Sequence, residues 1–131
     1  MRILKYTDIL THRMAMRGFV KLFRALSDET RIRILEVLLE RECCVCEVMQ
    51  ALDISQSRAS RNLGILEDAG FVKSRRDGLW IIYSIDEQGI NSHATPLIEM
   101  LRSSLVNEES ILQDKKRLNR AIRVEPRAIG K

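Results

Sequence analysis

Three cysteines fall within four positions, Cys43, Cys44 and Cys46, in the run Glu42-Cys43-Cys44-Val45-Cys46-Glu47. Thiolates are soft ligands and strong nucleophiles, so this density suits a thiophilic metal or metalloid, or thiol redox chemistry. A secreted disulfide scaffold would spread an even number of cysteines along the chain; a tight cluster of three reads as reduced thiols, and the expected location is cytoplasmic. Disulfides between Cys43 and Cys44, or Cys44 and Cys46, would be of the labile, regulatory kind. Glu42 and Glu47 oppose thiolate formation but suit a harder cation. Cys43 has a plainer reading as a small buried hydrophobe. No nucleophile–base pairing, Gly-rich phosphate loop or paired-carboxylate motif accompanies the cysteines, so no enzyme is expected.

A second group of residues suits nucleic acid. Ser55, Gln56, Ser57, Arg58, Ser60, Arg61 and Asn62 crowd one face of a predicted helix whose other face carries Ala59, Leu63 and Leu66. Gln pairs with adenine, Arg with guanine and Ser with either, which is direct major-groove readout. Arg75 and Arg76 follow beside a predicted hairpin tip, where phosphates or a minor groove are met. Between Ser55 and Arg76, five basic residues (Arg58, Arg61, Lys73, Arg75, Arg76) oppose only Glu67 and Asp68. The overall balance is less informative. Of the net +4, residues 113–131 carry +5, from seven basic residues against Asp114 and Glu125, which leaves residues 1–112 at −1.

These side chains need a scaffold, and 131 residues with 45% hydrophobic content suit one compact domain with extensions. No apolar run approaches the ~18 residues that span a bilayer. A first helical block is predicted over residues 8–26, with Gly18 as a point of division. Ser27 and Asp28 cap a second block whose buried stripe is Ile32, Leu35, Leu38 and Leu39. A two-turn helix ends at Asp53, and Ser55 and Gly70 bracket the polar-faced helix as N-cap and C-cap. Asp77-Gly78 between two β-prone runs predicts a type I′ hairpin. Thr95 and Pro96 open a long helix with Leu97, Leu101 and Leu105, continuing through Ile111, Leu112, Leu118 and Ile122.

Two short helices, a tight link and a basic hairpin make a winged helix-turn-helix, a mainly α (α+β) fold with a two-stranded wing. The expected divisions are 1–18, an N-terminal dimerisation helix; 19–94, the winged DNA-binding domain; 95–122, a C-terminal dimerisation helix; and 123–131, a flexible basic tail. The apolar stripes at both ends exceed what one winged domain covers, which independently predicts a homodimer.

The run Leu22-Phe23-Arg24-Ala25-Leu26-Ser27-Asp28-Glu29-Thr30-Arg31-Ile32-Arg33-Ile34-Leu35 resembles the opening signature of the ArsR/SmtB metalloregulators. Ser55 to Leu63 is similar to the family's recognition helix, and Leu66 to Val72 and Arg75 to Tyr83 to its helix exit and wing. The resemblance spans roughly residues 19–86. It implies a homodimeric transcriptional repressor on an inverted-repeat operator in double-stranded DNA, released when a ligand binds. Cys44-Val45-Cys46 resembles the family's metal-binding motif, so the resemblance implies arsenite, antimonite or a soft divalent metal as inducer. Cys44 and Cys46 are then ligands, with Cys43 as candidate third, because Met49 stands where arsenic-sensing members carry a further cysteine. Asn62 stands where many members carry His. His93 has no later His partner in its helix, so a zinc site there is not expected. Two alternatives remain open: a thiol redox-sensing repressor of the same fold, and a winged-helix protein-interaction module.

Overall fold

A computed structural model describes residues 6–88 and 93–125 of the chain. The elements run α1 (Tyr6–Leu26), α2 (Glu29–Glu40), β1 (Cys43–Cys44), α3 (Val45–Leu52), α4 (Gln56–Ala69), β2 (Val72–Asp77), β3 (Trp80–Ile85), α5 (Ala94–Ser104) and α6 (Glu109–Arg120). The fold is mainly α, with a small antiparallel sheet in the order β1-β3-β2. Among the described residues, no helix is long and apolar enough to cross a membrane.

Helix α1 runs unbroken through Gly18. One interior glycine costs a helix about 1 kcal/mol relative to alanine, too little to divide 21 residues. Helix α2 starts where Asp28, in extended conformation, accepts the Arg31 N–H at 3.0 Å. Its buried face is wider than a single stripe: Ile34, Leu35, Val37 and Leu38 are buried, while Ile32 and Leu39 are only partly so. The reason is its central place, since α1, α3, α4, α5, α6 and β3 all pack on it.

The β hairpin differs in detail from the expected turn. The strands pair out to Asp77 and Trp80, so Gly78 and Leu79 are the central residues. Only Gly78 has positive φ, at 61°, which is the pattern of a type II′ turn rather than I′. The sheet also has a third strand, β1, paired Cys43 to Tyr83 and Cys44 to Ile82. Two residues are too few to show alternation in a sequence.

The single C-terminal helix expected over 95–122 is instead two helices, broken between Leu105 and Glu108. The N-cap of α5 is His93, and Thr95 and Pro96 lie within its first turn. Beyond the break, α6 turns back so that Ile111 and Leu118 are buried and the helix packs on α2 and α3. The irregular apolar spacing after Leu105 marks that change of face.

Gly64 sits exposed in the middle of α4, and a Cβ built there meets nothing within 4 Å. Gly64→Ala is therefore expected to stabilise the protein by about 0.5–1 kcal/mol. Thermal unfolding of the free protein checks this; a lower melting temperature would mean the open space is not available.

Candidate nucleic-acid interface and thiol site

Helices α3 and α4 meet across a three-residue link. Asp53 ends α3 in the left-handed region (φ 56°, ψ 53°), a conformation Asp tolerates, and Ser55 begins α4 with its Oγ accepting the Arg58 N–H at 3.2 Å. Ala59, Leu63, Leu66 and Ala69 bury one face of α4. The last turn is closed by Gly70 at φ 97°, its N–H reaching the Glu67 and Leu66 carbonyls. The face left outside carries Gln56, Ser57 and Arg61, all exposed, with Ser60 half-buried at its edge.

Not every expected contact residue stands on that face. Asn62 is 4% exposed, accepts from the Arg31 guanidinium at 3.0 Å and donates to the Arg58 carbonyl at 2.9 Å. It is turned into the protein and is no base contact; its i, i+3 spacing from Ala59 places it on the buried face. Arg31 also donates to the Ala25 and Arg24 carbonyls at 2.7 and 3.2 Å, so one guanidinium ties the end of α1 to α4. The Arg58 side chain, though exposed, reaches back to Thr30 Oγ1 at 2.8 Å. Arg75 is gripped by both Glu42 oxygens at 2.7 Å, and that hydrogen-bonded pairing holds the Glu42 carboxyl below its usual range. Arg76 and Lys73 stay exposed on β2. The opposing acids are engaged elsewhere: Asp68 with Lys21 at 2.7 Å and Glu67 with Ser74 at 2.6 Å. The basic face therefore extends from Gln56 and Arg61 to Lys73 and Arg76.

The cysteines divide between two sides of β1, as successive strand residues must. Cys43 is fully buried in the main core, and burial pushes its thiol up to about 12. Its Sγ lies 3.5 Å from the Arg41 carbonyl. Cys44 and Cys46 lie on the other side with Ile82, joined by a disulfide across 5.4 Å of Cα separation. The expectation of free thiols thus holds only for Cys43. Met49 packs against the main core. Among the described residues, no three His, Cys, Asp or Glu side chains are grouped to hold a metal ion, so a three-coordinate set including Cys43 is not assembled.

The flanking acids have other work. Glu47, 4% exposed, accepts the Cys44 N–H at 3.0 Å, Arg41, and Arg123 at 3.2 Å. Burial alone would raise its pKa, but these donors outweigh it and the net shift is downward. With Glu42 held by Arg75, neither acid is free for a harder cation.

The chain after α6 crosses this site. Gln50 exchanges two hydrogen bonds with the Ile122 backbone, at 2.7 and 3.1 Å. Trp80 Nε1 donates to the Val124 carbonyl at 2.8 Å, and Val124 packs against Cys44, Cys46 and Ile82. Arg123 lies over the Trp80 ring at 6.0 Å and 3.7 Å from Asp77. Flexibility is the expectation from residue 123; Arg123 and Val124 are instead docked, and 126–131 lie outside the described residues. An apolar Val among basic residues, opposite a lone Trp, was the available signal. Beside the cysteines a recess of about 140 Å³ is lined by Val45, Leu79, Trp80 and Ile81, and by Gln56 at the start of α4.

Comparison with known proteins places this geometry. The profile described as "Bacterial regulatory protein, arsR family" matches residues 28–74, which run from the cap of α2 into the wing. The arsenical resistance operon repressor of Bacillus subtilis is 31% identical over 77 residues, covering 58% of this chain and 73% of the relative. The chain belongs to the arsR family of bacterial regulatory proteins. Also similar in sequence is the cadmium resistance transcriptional regulatory protein CadC homolog of Staphylococcus aureus, 41% identical over 80 residues. That match covers 60% of this chain and 63% of the relative, so the chain spans less than two thirds of that protein. Among solved structures, HlyU from Vibrio cholerae superposes with a TM-score of 0.58 at 30% identity, covering 66% of this chain and 90% of that one. The arsR fold expected from the sequence is the fold observed, with β1 and α6 added to it.

Proposed function

We propose that this arsR-family chain is a homodimeric, sequence-specific transcriptional repressor. It binds an inverted-repeat operator in double-stranded DNA and leaves it when a thiophilic metal or metalloid, such as arsenite, antimonite or a soft divalent ion, engages Cys44 and Cys46. The carrying observation is placement: the cysteine pair begins α3, and its recess reaches Gln56 on α4 and Leu79 at the wing tip. A ligand there acts at once on both elements that face DNA. The exposed stripe Met16, Phe19, Val20 and Phe23 on α1, with Met100 on α5, supports the dimer as apolar surface that a lone chain leaves wet. His93 belongs to this region, its ring edge-on to Phe19 at 5.2 Å. A two-fold dimer spaces its half-sites about 34–36 Å apart, or a multiple of that.

The basic residues should separate by mutation. Gln56→Ala or Arg61→Ala is expected to weaken operator binding by about 1–3 kcal/mol and to relax sequence preference. Lys73→Ala or Arg76→Ala should weaken all duplexes alike and flatten the salt dependence through counterion release. Fluorescence anisotropy at two salt concentrations, on a duplex selected from a random pool and on its scrambled version, tests the reading. Equal affinity for both duplexes would defeat it and favour a protein-interaction module. The bonded Cys44 and Cys46 favour one second reading, a repressor switched by oxidation of this pair. In that case a mass loss of two hydrogens alone changes DNA affinity, with no metalloid present.

A further inference from the structure

We infer that residues 122–124 form a strap that gates the Cys44–Cys46 pair: docked, it shuts off the sulfurs and holds the wing, and lifted, it opens both. The strap deepens the sensing role proposed above by regulating entry to that site. Its test needs neither DNA nor metalloid, so the gate and the sensing role fail separately.

Each strap residue is seated on a different part of the site. Helix α6 ends at Arg120, and Ala121 leaves it in extended conformation. The Ile122 backbone exchanges hydrogen bonds with Gln50 of α3 at 2.7 and 3.1 Å, while its side chain is largely exposed. Arg123 bridges Glu47, which accepts the Cys44 N–H, and Asp77 at the end of β2. Val124 packs on Cys44, Cys46 and Ile82, and its carbonyl accepts the Trp80 indole N–H at 2.8 Å. Asp77 and Trp80 are the last pair of the hairpin before its Gly78-Leu79 tip. Because these contacts fall on consecutive residues, losing one loosens the next. The thiol pair and the wing therefore share one cover.

Under that cover Cys44 and Cys46 are 2% and 3% exposed. Buried cysteines are inert, so the pair reacts only when the strap is off. The hold is modest: single hydrogen bonds, and an Arg123–Asp77 pair at 3.7 Å with both side chains partly exposed. Segments held in this way open locally well before the whole fold does. Cys43 supplies the contrast, since it is fully buried in the main core and Val124 packs on the other two cysteines.

The test alkylates the full chain with iodoacetamide after reduction by a phosphine, and peptide fragmentation follows Cys43, Cys44 and Cys46 separately. A thiolate sulfur displaces iodide, a C–S bond replaces C–I, and the thiol proton passes to the buffer. The strap's hydrogen bonds involve no sulfur, so reduction leaves them in place. When opening and closing outpace alkylation, the rate follows the open population. Gln50→Ala and Arg123→Ala are each expected to speed modification of Cys44 and Cys46 about fivefold, the scale of one hydrogen bond or exposed ion pair. Cys43 should be unchanged. Arg123→Ala is the sharper variant, because removing a cation disfavours thiolate and by charge alone would slow the reaction. Trp80 is the chain's one tryptophan, and its emission should move to the red in Gln50→Ala as the strap leaves it. Unchanged or slower modification of the pair in both variants overturns the gate and routes the reagent through the recess lined by Leu79 and Ile81. Cys43 accelerating in step with the pair also overturns it, since that marks opening of the whole fold.

Discussion

Replacing Asp114 with Asn is expected to destabilise the protein by about 3 kcal/mol, the lower end of what breaking a buried ion pair costs. Asp114 is fully buried and accepts from Arg33 Nε and Nη2 at 2.8 and 2.7 Å and from Arg117 at 2.8 Å. Those two guanidiniums also donate to the last carbonyls of α3, Leu52 at 3.3 Å and Ala51 at 2.8 Å, groups that no helix can satisfy internally. The carboxylate therefore bridges the two cations that cap α3 and fastens α6 beneath it. Asn preserves volume, so the loss reports charge rather than a cavity. The lower end applies because the Arg117 side chain is 40% exposed and recovers some hydration. Urea denaturation at constant m-value measures the effect. A loss below about 1 kcal/mol would place the triad with ordinary surface pairs.

The second large effect is on regulation. The double variant Cys44→Ser, Cys46→Ser is expected to bind operator as the parent does and to lose all response to arsenite. Operator binding survives because the disulfide closes a loop of sequence separation 2, which restrains the unfolded chain least, and because both cysteines are buried and are not among the exposed side chains of the α4 face. Response is lost because a serine oxygen is a hard, protonated group at neutral pH and a poor match for a soft ion. A ligand shifts an equilibrium only by its differential affinity for two states, so the released form must be the one that brings the thiolates to the ion. Retained release in the double variant, read by gel shift, would remove the cysteines from the mechanism.

The recognition helix and wing were legible because their signals are local. Ser55 caps, Gly70 ends, and Asp77-Gly78 turns whatever surrounds them, and all three lie at or within one residue of where they were expected. The core face of α2 was legible only in part, since a helix packed from several sides has no single stripe. What the sequence did not disclose depends on distant partners. Asn62 looks like a base reader until Arg31, 31 residues away, claims its amide. Arg58 and Arg75 look free until Thr30 and Glu42 engage them. The three cysteines form one cluster in sequence, and only the pleat of a two-residue strand separates Cys43 from Cys44. The docking of residues 122–124 is likewise invisible locally, because Gln50 and Trp80 lie more than 40 residues away.

In the proposed mechanism the cysteine pair and the DNA-reading helix share one equilibrium. Linkage makes that claim reciprocal: whatever factor arsenite takes from operator affinity, operator must take from arsenite affinity. Calorimetric titration of arsenite into the reduced protein, free and saturated with operator duplex, measures the second factor; anisotropy with and without arsenite measures the first. Equal factors are expected, each about 5–150-fold as is typical of allosteric coupling. Arsenite binding with the same affinity in both states would contradict it.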